Sequence, residues 1–222
     1  MSFMKNTRAK KDIAITGRMA KWYDKNSLAR LAEMSKVADT IAEKTTKGGK
    51  ILEIAPGPGY LSIELARRGF DVTGVELSAD FVEIEKKNAV DAGVTVDFKQ
   101  GNASALPLAD EAYDFIVCMA AFKNFSEPRQ ALIEMYRVLK PQGIALVIDM
   151  NRENTKEDIE EALRDYPGMK GFDRWFVKLS FKTFLKKGAY NQREFEAFIS
   201  HTQFPKHEIV KQGTGFYIWL FK

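Results

Sequence analysis

The stretch Ile51-Leu-Glu-Ile-Ala-Pro-Gly-Pro-Gly-Tyr-Leu-Ser62 constrains this chain more than any other: a short buried-type strand runs into a proline–glycine turn, and the turn opens a helix. Glycines belong where something must approach the backbone closely, because a Cβ would collide with it. The free N–H groups at the start of the following helix, and the positive end of its dipole, then face whatever sits against the turn. Gly57-x-Gly59 alone is a weak signal, since many turns contain such a pair. Its meaning depends on what surrounds it.

The surroundings keep one rhythm. Apolar residues recur at helical spacing from Trp22 to about Thr45, with Leu28, Leu31, Met34, Val37, Ala38 and Ile41 on one stripe. After the strand Ile51–Ala55 come a helix over Tyr60–Arg68, a strand over Asp71–Glu76 and a helix over Ala79–Ala92. Then follow strands over Val94–Gln100 and Tyr113–Met119, a helix over Pro128–Leu139 and a fifth strand over Gly143–Asp149. Strands alternating with helices in this way predict an α/β fold, a parallel sheet with helices on both faces. The rhythm stops after Met150. Residues 151–200 read as mostly helical and rich in aromatics and lysine, and His207–Val210 with Phe216–Phe221 read as an antiparallel hairpin across Gly213-Thr-Gly215. The expected division is an N-terminal helical arm (1–45), an α/β core (46–150), a helical lid insertion (151–200) and a closing hairpin (201–222).

Composition narrows the class. With 222 residues, 45% hydrophobic and 29% charged, the chain can bury the core of one α/β domain with a lid, and it is not a disordered polymer. The lone Cys118 sits in an apolar run, which excludes a disulfide framework and favours a buried strand residue over a nucleophile. No C-x-x-C or histidine cluster offers a metal site, so none is expected; His201 and His207 stand apart from any such group. The N-terminus is basic but lacks a continuous apolar segment of the signal-peptide kind, and runs such as Ile144–Ile148 are too short to span a bilayer. A soluble, cytoplasmic protein is expected. Charge is uneven: residues 1–30 hold eight Lys/Arg against two Asp, and residues 170–193 hold seven against one. Such stretches are solvated helix faces, or they meet an anionic substrate, a membrane surface or nucleic acid.

Glu76 ends the next strand, seventeen residues after Gly59, where an acid in an open α/β sheet commonly accepts hydrogen bonds from both ribose hydroxyls of an adenosine. Asn102, in Gly101-Asn-Ala103 after the third strand, offers a donor and an acceptor to a base edge; it is otherwise a plain turn residue. A dinucleotide enzyme using NAD is one reading of Gly-x-Gly-x-x-Ser. Against it, Glu53 stands inside the first strand, at a place that dinucleotide-binding strands fill with apolar residues. Pro56 and Pro58 also remove N–H donors that a pyrophosphate would use.

Five segments in order carry a more specific likeness: Leu52-Glu-Ile-Ala-Pro-Gly-Pro-Gly59, Gly74-Val-Glu-Leu-Ser78, Gly101-Asn-Ala103, Tyr113-Asp-Phe-Ile-Val-Cys118 and Arg137-Val-Leu-Lys-Pro-Gln-Gly143. Together they resemble the class I S-adenosylmethionine-dependent methyltransferases, on the small-molecule branch that includes the ubiquinone/menaquinone biosynthesis C-methyltransferases. The resemblance is strong over residues 46–150 and weak over the terminal hairpin. It implies a Rossmann-like, doubly wound, seven-stranded sheet, mostly parallel with its last strand reversed. It also implies S-adenosyl-L-methionine as cofactor, with S-adenosyl-L-homocysteine as product.

By the same resemblance, Glu53, Ala55, Gly57 and Gly59 would surround the methionine part of the cofactor. Glu76 would bind the ribose, Leu77 would lie against the adenine, Asn102 and Ala103 would meet its edge, and Met119 would start the loop beneath the sulfonium. Tyr23, in Trp22-Tyr-Asp24, resembles a tyrosine that related enzymes fold over the cofactor; it is otherwise a helix-face aromatic. Two departures stand out: the family usually has Gly at the place of Ala55 and Asp at the place of Asn102.

The implied reaction is an in-line methyl transfer in which the protein aligns the reactants and excludes water, so no catalytic residue is assigned. Phe122, Lys123 and Asn124 follow the fourth strand and are expected to line the acceptor side of the site; related enzymes often carry histidines around positions 123 and 124. Lys123 would hold an acidic group of the methyl acceptor and Asn124 would orient it, unless both face solvent at a helix entry. Phe172, Trp175 and Phe176 would line an apolar or aromatic acceptor pocket, or form the lid's own packing. The expected partner is a small molecule, anionic and partly apolar. The rival readings are a nucleic-acid methyltransferase and a non-catalytic cofactor-binding sensor or partner subunit. The chain lacks the Asp/Asn-Pro-Pro-aromatic and Pro-Cys motifs of nucleic-acid enzymes, which weighs against the first.

Overall fold

The computed structural model describes residue 12, residues 14–162 and residues 188–222. Seven strands form one sheet: β1 (Lys50–Ile54), β2 (Asp71–Glu76), β3 (Asp97–Gln100), β4 (Tyr113–Met119), β5 (Leu139–Met150), β6 (Lys206–Gln212) and β7 (Gly215–Phe221). Their order is β3-β2-β1-β4-β5-β7-β6. β1 to β5 pair in parallel, and β7 runs antiparallel to both its neighbours, β5 and β6. The doubly wound sheet with a reversed last strand is thus the fold. β1 marks the reversal of winding, with β2 and β3 on one side and β4 and β5 on the other. Loops leaving β1 and β4 therefore diverge and open a crevice at the carboxyl ends.

Period-two alternation fills both faces. Leu52, Ile54, Ile116, Cys118, Ala145 and Val147 point into one cluster, which also receives Leu132 and Met135 of helix α5 (Pro128–Val138). Ile51, Phe115, Val117, Leu146 and Ile148 point the other way, onto α2 (Leu31–Ala42) and α3 (Tyr60–Arg67). Helix α4 (Ala79–Asp91) lies against β3, and its first turn is capped by Ser78, whose Oγ accepts from Phe81 N at 3.3 Å. Short α6 (Lys156–Ala162) follows β5. Helix α7 (Gln192–Ile199) starts at a capping box between Asn191 and Glu194. Phe195 and Ile199 of α7 join the first cluster, so part of the expected 151–200 lid packs against the sheet.

Several boundaries move for identifiable reasons. The expected continuous helix from Trp22 is two helices, α1 (Gly17–Ser27) and α2, separated by the 3-10 turn Leu28–Arg30. That turn resets the phase: Met34, Val37, Ala38 and Ile41 are buried, whereas Leu28 and Leu31 are 47% and 38% exposed. β5 begins at Leu139 because Leu139 pairs with Tyr113; a register shift before the Phe115–Ile144 pair absorbs Lys140-Pro-Gln-Gly143. β3 is confined to Asp97–Gln100, the residues that meet Thr73–Glu76. Among the described residues, no helix is long and apolar enough to cross a membrane.

Candidate functional site

At the end of β1 the chain turns through left-handed backbone. Ala55, Gly57 and Gly59 have φ of 56°, 61° and 81°. Ala55 N donates to Val75 O at 2.8 Å and Gly59 N donates to Pro56 O at 3.1 Å, which fixes the bend between strand and helix. A Cβ on Gly59 would lie 3.0 Å from Phe98 Cζ and 3.2 Å from Glu85 Cγ, so β3 and α4 floor the turn. A Cβ on Gly57 would lie 3.7 Å from Tyr23 Cε1, which places Tyr23 over the turn's outer side. Tyr23 in turn stands edge-on to Phe81 at 5.9 Å between ring centroids. Next to it, Asp24 accepts from Tyr60 Oη at 2.8 Å and from Asn88 Nδ2 at 3.0 Å, while Asn88 also donates to Pro58 O at 3.0 Å. α1, α3, α4 and the turn are thereby bolted together.

Three acids gather around this turn. Glu76 is buried at the end of β2, where Oε1 accepts from Ser78 N at 2.9 Å and Oε2 from Gly57 N at 3.3 Å. Each oxygen keeps a lone pair for a further donor. Burial raises its pKa against the opposing backbone donors. Glu53 is buried within β1 and accepts from Ser62 Oγ; burial pushes its pKa up to about 7. Glu85, on α4, is completely buried, and among the described residues neither carboxyl oxygen has a hydrogen-bond partner. Burial, with Glu76 and Glu53 nearby, pushes its pKa up to about 10, so Glu85 is a neutral acid at pH 7. Sequence reasoning passed over Glu85, although Phe81, Glu85 and Ala89 share one face of α4.

Beside the turn lies a small cleft walled by Ile54, Ala55, Val75, Leu77, Gly101, Ala103 and Phe125, with Asn102 and Asp12 at its polar edge. Asp12 also escaped the sequence reading. A larger groove between α3 and α4, lined by Leu31, Ile63 and Arg67 among others, includes none of the strand ends and none of the three acids. The smaller cleft is the one that joins the predicted residues.

The segment after β4 corrects the acceptor-side expectations. Phe122 has no exposed surface. Its ring centroid lies 5.5 Å from those of Phe125 and Phe195 and 6.1 Å from that of Tyr190, which makes it part of the aromatic core and not of a pocket wall. Lys123 is buried too: its Nζ lies 3.1 Å from Asp149 Oδ1, and its backbone N donates to Asp149 Oδ2 at 2.7 Å. Its charge therefore serves an internal pair, and it does not face solvent. Asn124 is exposed, and Met119 is half-buried at the end of β4. Phe172, Trp175 and Phe176 lie outside the described residues.

Residues 52–147 match the family model of the methyltransferase domain. Residues 52–147 thus form a methyltransferase domain. The domain is 35% identical over 104 residues to a demethylmenaquinone methyltransferase of Renibacterium salmoninarum, covering 47% of this chain and 42% of that protein. A ubiquinone biosynthesis O-methyltransferase of Pectobacterium atrosepticum is 31% identical over 106 residues, 47% of this chain and 44% of its own. This chain thus spans under half the length of these two curated relatives. Over nearly the whole chain it is similar to the solved structure of a Methanococcus maripaludis protein described as an S-adenosyl-L-methionine-dependent methyltransferase: 25% identity, 96% of each chain and a TM-score of 0.76.

The residues around the methyltransferase domain's turn fit an adenosyl sulfonium chemically. Apolar walls with a polar edge suit a purine. A fixed carboxylate at Glu76 suits a pair of vicinal hydroxyls.

Proposed function

We propose that this chain catalyses transfer of a methyl group from S-adenosyl-L-methionine to a small, partly apolar acceptor bearing an acidic or acid-like hydroxyl group. One observation carries the reading: the Glu76 carboxylate is held by the Gly57 N–H at the switch point of the sheet, next to an apolar cleft edged by Asn102. In this reading Glu76 binds the ribose, Leu77 and Ala103 sandwich the adenine, and Asn102 meets its edge. Glu53, Ala55, Gly57 and Gly59 enclose the methionine part, Met119 lies below the sulfur, and Tyr23 covers the turn.

When bound, the cofactor supplies an electrophilic methyl group on sulfur. The chain's own contribution is to hold that group in line with the acceptor and to keep water out. The arm (1–45) and the residues expected to form the lid (151–200) would close over the crevice left open at the carboxyl ends of β1 and β4. The quinone-pathway names of curated relatives support an acceptor of phenol or quinone type, without choosing between carbon and oxygen as the methylated atom.

Calorimetry with S-adenosyl-L-homocysteine tests the first half: saturable binding is expected, and absence of binding by either the cofactor or this product would end the reading. Transfer of labelled methyl to a panel of hydroxylated quinols and aromatic acids tests the second.

A further inference from the structure

Resting on that reading of the cleft, the arm adds an element that no strand or loop of the sheet supplies. Asp12 precedes Asn102 by 90 residues, yet its Oδ2 accepts from Asn102 Nδ2 at 3.0 Å. The same carboxylate accepts from Ser126 N at 2.8 Å and from Ser126 Oγ at 2.7 Å. Burial works to raise the Asp12 pKa, but these donors outweigh it and hold the group below its ordinary value, so it is charged at neutral pH. Two more contacts tie down the arm behind it. Ser78 Oγ donates to Ile15 O, and Gly17 N donates to Asp80 Oδ2 at 2.5 Å.

The Asn102 amide is gripped from both ends. Its Oδ1 accepts from Ser104 N at 2.8 Å, while its Nδ2 donates to Asp12. An amide standing alone can exchange its oxygen and nitrogen by a half-turn and so suit either kind of base edge. Here the half-turn would set oxygen against a carboxylate and an NH2 against an N–H. The edge of the cleft is therefore committed: a carboxylate acceptor stands beside an amide donor. Adenine presents the complement, an exocyclic amino donor next to a ring-nitrogen acceptor. Hypoxanthine replaces that amino group with a carbonyl, which would face the carboxylate.

We propose that Asp12 is an adenine-selecting residue of this site: its carboxylate accepts from the exocyclic amino group and locks the Asn102 amide to donate beside it. The loop after β3 presents only a neutral amide at position 102, turned by Ser104 N, and the arm supplies the second grip and the negative charge.

The test compares S-adenosyl-L-homocysteine with its deaminated analogue, S-inosyl-L-homocysteine, by calorimetry on the full chain. Wild type is expected to prefer the adenosyl ligand by roughly tenfold or more, the scale of one hydrogen bond to a charged group. Asp12→Ala and the isosteric Asp12→Asn should both weaken the adenosyl ligand and shrink that ratio at least several-fold. Asp80→Ala loosens the arm without touching the edge and should keep the ratio. If both Asp12 variants retain the wild-type ratio, whatever happens to absolute affinity, the arm is only a strap and the proposal is overturned. Binding of neither ligand by wild type would instead remove the cofactor reading itself. Thermal unfolding of each variant establishes that it is folded before titration.

Discussion

The Lys123 ammonium lies 3.1 Å from Asp149 Oδ1 with both side chains buried, so each charge is the other's reason for being tolerated inside the fold. Asp149 holds the segment after β4 twice, through this pair and through the Lys123 backbone N–H. Removing one partner leaves a buried charge. Asp149→Ala is expected to destabilise the protein by about 3–5 kcal/mol, and Lys123→Met, which leaves the carboxylate two backbone donors, by less. Urea unfolding of the two variants checks the order. Equal, small losses would mean that the pair contributes little.

Glu85 makes stability depend on pH in an unusual direction. Its folded pKa is raised to about 10, well above the unfolded value, so the native state binds the proton more tightly. The stabilisation is fully present below the unfolded pKa near 4.5 and is lost as pH rises towards the folded value. The slope from this group is up to about 1.4 kcal/mol per pH unit. Glu53, raised to about 7, adds a similar fall that ends near neutrality. Glu85→Gln should flatten the wild-type decline between pH 7 and pH 9, measured by denaturant unfolding at each pH. An unchanged slope would mean that Glu85 is ionised and hydrated in the folded protein.

The parts of this molecule that were legible in the sequence are those decided locally. Strands β2 and β4 stand at their expected limits because each is bounded by polar or turn-forming residues. The glycine turn was legible because a strand, two glycines and a helix occur within twelve residues. The 3-10 break at Leu28–Arg30 was not, since no glycine or proline marks it. Phe122 and Lys123 were misplaced for a tertiary reason. A lysine after a strand reads as solvent-facing until β5 brings Asp149 beside it, and a phenylalanine reads as pocket lining until α7 supplies Phe195 and Phe198. Asp12 gave no local signal at all, because its partners Asn102 and Ser126 lie 90 and 114 residues away.

Glu76 should dominate cofactor affinity. Its replacement by Ala removes a carboxylate that would accept from two hydroxyls and strands the N–H groups of Gly57 and Ser78. Two lost hydrogen bonds to a charged group correspond to roughly a hundredfold rise in Kd for S-adenosyl-L-homocysteine. Glu76→Gln keeps the shape and one good acceptor, so its loss should be smaller. Calorimetry on both variants decides it, and a Glu76→Ala protein that binds like wild type would place the ribose elsewhere.

Two positions in the chain separate backbone strain from steric collision. Ala55 holds φ of 56°, a conformation that costs a residue with a Cβ about 1–2 kcal/mol. Ala55→Gly relieves that strain but loses about 0.5–1 kcal/mol to the freer unfolded chain, so its stability should be near wild type or slightly higher. It also opens the wall of the cleft by one methyl group. Gly74 is the opposite case: its φ is ordinary, but a Cβ there would lie 2.5 Å from Phe98 Cδ1 and 3.1 Å from Pro56 Cγ. Phe98 also packs beneath Gly59, so a displaced ring disturbs the turn itself. Gly74→Ala is therefore expected to cost about 1–3 kcal/mol and to weaken S-adenosyl-L-homocysteine binding, although residue 74 lines no part of the cleft. Thermal unfolding and calorimetry on the two alanine–glycine exchanges should move in opposite directions. If Gly74→Ala proved as stable and as tightly binding as wild type, the Phe98 ring could not be the support of the glycine turn.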